Sequence, residues 1–141
     1  MDSLNQRLKK DPLLLLRCGL GLVFILAGLH RLIFFDLAYQ NFLDVGLRPA
    51  ALLVALAIGV ELVAGVLLLW NLYVKEACMG ISILLVIGIA SSAIRAGHSL
   101  IDKVNELFML TYTPTNIVLH VTYLVGVITL LLWVLPKKKK S

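Results

Sequence analysis

Residues 50–70 read AALLVALAIGVELVAGVLLLW, twenty apolar or small residues around a single acid, Glu61. At about 1.5 Å rise per residue, such a run is long enough to cross the hydrocarbon core of a bilayer. A carboxylate at its middle costs roughly 2.5–3.5 kcal/mol on insertion scales. Glu61 is therefore expected to face the inside of a helix bundle and to meet a donor there. It is either a protonated acid or half of a Glu–Arg pair that only fastens helices, or it belongs to a functional pocket. Ionisable residues inside a membrane mark such pockets by default.

The surroundings of this run fit a membrane protein. Of the 141 residues, 60% are hydrophobic, whereas soluble domains carry about 45–50%. That length accommodates one small helical bundle and leaves no room for a separate soluble catalytic domain. The net charge of +5 comes from basic residues at the ends of the apolar runs. That placement points to lipid headgroups and topology rather than to nucleic acid. Cys18 and Cys78 form neither a CxxC nor a metal-ligand spacing; both lie near the start of an apolar run, where they serve as small residues at helix contacts or meet as a thiol pair. The first apolar run leads into Arg31 and aromatics instead of an Ala-x-Ala site, so it is expected to stay in the mature chain.

Taken in order, the chain predicts four spans, at about 13–35, 50–72, 77–96 and 114–135, as an antiparallel four-helix membrane bundle within a single domain of residues 1–141. Arg17, Gly21, Phe24, Gly28 and Arg31 step by four, three, four and three residues. They share one face of the first helix, two glycines between two arginines. Arg17 can equally snorkel to nearby headgroups, Arg31 can be an ordinary outer-end anchor, and the glycines alone can be packing. Residues 36–49 are expected to connect the first two spans, with Tyr39 and Phe42 as headgroup-level anchors. Ala57, Glu61, Ala64 and Gly65 share a face of the second helix. Lys75-Glu76 is read as a very short turn. Gly88, Ser91, Ser92 and Arg95 share a face of the third helix. Residues 99–113 have an amphipathic pattern too polar to span, which predicts a short interfacial helix before the fourth span. Asn116, His120 and Tyr123 share a face of that last helix.

An even number of spans puts both termini on one side. The basic tails and Lys75 then place that side in the cytoplasm by the positive-inside rule. Counting from the helix ends, His30, Arg31, Arg95, Asn116 and His120 enter the outer half of the bundle, above Glu61. A pocket of Arg17, His30, Arg31, Glu61, Arg95, Asn116 and His120 is the resulting expectation, opening outward, with Glu61 at its floor and Arg17 approaching from below. Glu61 and His120 are the candidate proton relay, and the arginines suit an anionic headgroup or a quinone carbonyl. The His and Glu residues lack HxxxH or HxxE spacing, so no metal site is expected. No Gly-rich nucleotide loop, haem motif or Ser-His-Asp order is present.

Three stretches carry a resemblance: LRCGLGLVFILAGLHRL at 16–32, VELVAGVLLLWNL at 60–72 and NIVLHVTYLVGVITLLL at 116–132. Arg17 with Gly19 and Gly21, the Gly28–Arg31 region, and Glu61 with Gly65 give it specificity. In these the chain resembles the DoxX family of small four-helix membrane proteins. The resemblance implies an association with redox work: the related DoxD-like proteins are subunits of a thiosulfate:quinone oxidoreductase, and more distant relatives look like chaperones or maturation factors. The chain departs from that pattern in its lysine tail, and it lacks an extracytoplasmic cysteine pair. The expected function is an accessory subunit of a quinone-linked redox system, with quinone as ligand and a redox enzyme as partner. The rival expectation is an assembly module that recognises a client membrane protein through its small-residue faces. A homo-oligomer is compatible with both. The expected location is the plasma membrane in a bacterium, or the endoplasmic reticulum in a eukaryote, where the lysine tail would suit a retrieval signal.

Overall fold

The computed structural model describes residues 11–44, 46–95 and 117–135, with the side chains of 91–95, 117 and 118 left out. The elements among the described residues are all helices: α1 (Leu14–Ile33), α2 (Phe35–Asp44), α3 (Ala50–Trp70), α4 (Val74–Arg95) and α5 (Ile117–Val134). No strand occurs among them. α1 and α3 are each long and apolar enough to cross a membrane. The helix expected over 99–113 lies outside the described residues.

The breaks between helices follow from local backbone chemistry. α1 and α2 are separated by one non-helical residue, Phe34, whose N–H still reaches the His30 carbonyl. α2 is amphipathic: Ala38 is buried, and Phe35 and Phe42 pack with it against Val54, Ile58 and Leu62 of α3. Phe42, expected as a headgroup-level anchor, thus packs against α3. α3 ends at Asn71, which takes a left-handed conformation (φ 58°) and returns its N–H to the last helical carbonyls. Asn is one of the few side chains that tolerates this cap. Only three residues then precede Val74, so α3 and α4 fold back as an antiparallel hairpin. The turn expected at Lys75-Glu76 is thus the first turn of α4 instead. Glu76 sits there favourably, because an acid complements the positive end of the helix dipole.

α1 packs on α3, α3 on α4, α4 on α5 and α5 on α1, while α2 leans on α3. One apolar cluster draws on all four long helices: Leu20 and Phe24, Ala64 and Leu68, Ala77, Cys78, Ile81 and Leu85, and Val127 and Leu130. Phe24 meets Tyr123 edge-on, with ring centroids 6.0 Å apart. The outward faces are also apolar, with Leu15, Leu22, Leu26, Ile33, Leu52, Leu56 and Val63 more than half exposed. Soluble proteins seldom display apolar surface on this scale, whereas a lipid-facing surface requires it.

The tightest contact is between α1 and α3, which run antiparallel. A Cβ placed on Gly65 would stand 2.8 Å from the Gly21 carbonyl oxygen and 2.7 Å from Ile25 Cγ1. A Cβ on Gly28 would stand 2.9 Å from the Leu62 side chain. The two helices approach so closely only because glycine stands at these positions.

Candidate functional site

The close approach of α1 and α3 is what buries Glu61. Its neighbours on the inner face of α3 are Ala57, Ala64 and Gly65, all buried with it. On α1, Gly28 faces the Glu61 Cβ. Three residues further along α1, Arg31 lies on the same side and its Nη1 donates to Glu61 Oε1. The pair is unequal in exposure: the Glu61 side chain is 7% exposed and that of Arg31 is 28%. The second carboxylate oxygen, Oε2, is buried and has no hydrogen-bond partner among the described residues.

His120 approaches from α5. Its ring lies against Gly88 of α4, where an added Cβ would come within 3.0 Å of Cδ2 and 3.1 Å of Nε2. The imidazole is within electrostatic reach of the Glu61 carboxylate. Residues from α1, α3 and α5 thus converge, with Gly88 of α4 supplying the space for the ring. A carboxylate, a guanidinium and an imidazole so placed can hold an anion, accept a hydrogen bond or pass a proton.

Of the other expected pocket residues, Arg17 and His30 lie elsewhere. Arg17 does not approach Glu61. Its Nη1 donates to the Leu68 carbonyl at 2.9 Å, and its Nη2 pairs with Asp11 Oδ2 at 2.9 Å. Leu68 is seven residues beyond Glu61 on α3, about 10 Å along the axis, which explains the separation. Nor does Arg17 snorkel into the open, being 6% exposed. His30 is exposed and stacks beside Phe34, ring centroids 4.8 Å apart. Arg95 closes α4 with its side chain outside the description, and Asn116 lies outside the described residues.

Asp11 was missed as a partner because it belongs to the polar N-terminal segment. The signal available was its place just before Pro12, as the acid nearest in sequence to Arg17. The Leu68 carbonyl was also missed, since helix-end acceptors carry no side-chain signature. Both cysteines are free, so no disulfide joins them, and Cys78 is fully buried in the apolar cluster. A separate open groove, lined by Tyr39, Leu43, Arg48, Pro49, Ala50 and Ala51, lies at the corner between α2 and α3 and includes none of the expected pocket residues.

The DoxX family model matches residues 12–93, more than half of the chain, from just before α1 almost to the end of α4. No curated protein and no solved structure matches the chain. The matched segment contains Arg17, Gly21, Gly28, Arg31, Glu61 and Gly65, the residues that join α1 to α3 and enclose the buried acid, whereas His120 lies beyond it. With that helix pair inside the matched segment and apolar enough to cross a bilayer, the chain is an integral membrane protein that belongs to the DoxX family.

Proposed function

We propose that this chain is the membrane subunit of a quinone-linked redox system. Its four long helices span the bilayer as an antiparallel bundle with both termini in the cytoplasm, and the polar groups around Glu61 receive a quinone. The observation that carries this reading is the buried Glu61 carboxylate, with Arg31 on one oxygen, the other without a partner among the described residues, and His120 within electrostatic reach. A quinone needs two electrons and two protons to become a quinol. The partner enzyme supplies the electrons, since no redox cofactor motif occurs in the sequence. Glu61 and His120 hold and deliver protons, and Arg31 steadies the carboxylate or a developing quinone oxyanion.

The rival reading, an assembly module, draws less support. The glycines that would greet a client helix, Gly21, Gly28 and Gly65, are already occupied by the protein's own helices.

The test begins with purification from the native membrane in mild detergent and identification of the accompanying oxidoreductase by mass spectrometry. Glu61→Gln is then expected to leave the protein folded and lower partner-dependent quinone reduction by about 100-fold, the lower range for a lost acid–base group. Unchanged activity in that variant, or the absence of any redox partner, would count against the proposal.

A further inference from the structure

We propose that Arg17 is the seat of a phosphate-bearing anion, which exchanges with the Asp11 carboxylate where α1 begins. This site is separate from the surroundings of Glu61, and its guanidinium is fixed from two sides. Nη1 is held by the Leu68 carbonyl near the end of α3, and Nη2 by Asp11 Oδ2. Nε, on the same edge as Nη2, is buried and has no partner among the described residues. That edge is the one that takes a carboxylate or phosphate through two parallel hydrogen bonds. Asp11 fills half of it and leaves a buried N–H unmet, a loss that a bidentate anion would remove.

The way in is through Asp11, whose side chain is 31% exposed while that of Arg17 is 7% exposed. The surrounding sequence is rich in cations. Arg7, Lys9 and Lys10 immediately precede Asp11, and exposed Lys75 opens α4 just after the turn that follows Leu68. Basic residues at a membrane surface concentrate anionic headgroups. A phosphate monoanion has the planar pair of acceptors and the charge to displace Asp11, and its source is either a phospholipid headgroup or free phosphate.

The experiment uses the full chain in detergent, titrated with phosphatidylglycerol and read by native mass spectrometry, with a parallel thermal-shift titration by inorganic phosphate. Asp11→Asn removes the competing charge and is expected to tighten phosphatidylglycerol binding by about tenfold. Arg17→Lys, which lacks the fork, is expected to lose the specific binding. A response of Asp11→Asn to the lipid alone assigns the seat to a headgroup, and a response to inorganic phosphate in lipid-free detergent assigns it to the free ion. If Asp11→Asn matches the wild type in both titrations, Asp11 only fastens Arg17 and the proposal fails. That comparison decides the matter even if Arg17→Lys does not fold.

Discussion

Arg31 and Glu61 form a pair whose two members stand in different solvents, so removing one is not equivalent to removing the other. Arg31→Ala strands a carboxylate that is 7% exposed, whereas Glu61→Gln strands a guanidinium already 28% exposed, which can turn toward water or headgroups. Breaking a buried pair from the exposed side costs about 3 kcal/mol, whereas exchange for the neutral isostere should cost about 1 kcal/mol. Unfolding in mixed detergent micelles should therefore rank Arg31→Ala below Glu61→Gln in stability, with Arg31→Ala/Glu61→Gln recovering part of the loss. The reverse order would mean that Glu61 is carried as the neutral acid and that the pair contributes little. The sequence made Glu61 legible because charge in an apolar run is costly wherever it points. It left the partner open between Arg17 and Arg31, since both lie on the same stripe of α1. Only the antiparallel register, set by Gly21 against Gly65, decides that Arg31 meets Glu61 and Arg17 meets Leu68.

That register is a property of two helices together, and glycine positions test it. Gly65→Ala places a methyl group 2.8 Å from a backbone oxygen of α1, which cannot rotate away. The helices must separate, at a cost of about 1–3 kcal/mol for overpacking. Gly59 is on the same helix but exposed, and an added Cβ there meets nothing within 4 Å. Gly59→Ala should therefore be neutral or stabilising by up to about 1 kcal/mol, through helix propensity. Equal losses from both substitutions in thermal unfolding would show that the α1–α3 approach does not hold the protein together. Gly19, Gly21, Gly28, Gly59 and Gly65 cannot be told apart by composition. The stripe of Arg17, Gly21, Phe24 and Gly28 nevertheless anticipated the buried face of α1, because 3.6-residue periodicity alone selects it. The start of α4 was not legible in the same way. Lys75 and Glu76 look like turn residues, yet the three-residue turn capped by Asn71 lets the helix begin before them.

The four long helices share one apolar cluster, while their outer surfaces remain apolar, so the chain is organised by two nonpolar environments rather than by one core and water. Topology follows if the positive-inside rule governs the chain as a unit. α1 carries it across to α2, and α3 brings it back to the turn before α4. Gln40 on α2 and Glu76 on α4 are both exposed and lie at opposite ends of α3. Single cysteines at these two positions, in a background carrying Cys18→Ala and Cys78→Ala, should therefore react differently with a membrane-impermeant maleimide. Gln40→Cys is expected to label in intact cells, and Glu76→Cys only after permeabilisation. The opposite pattern would place Lys75 and the basic tails outside and move the Arg17–Asp11 seat to the outer leaflet. Labelling of both positions in intact cells would mean that α3 does not cross the bilayer at all. The expected pattern puts Arg31, closer than Glu61 to the α2 end of the helix pair, on the side of the membrane away from the lysine tail.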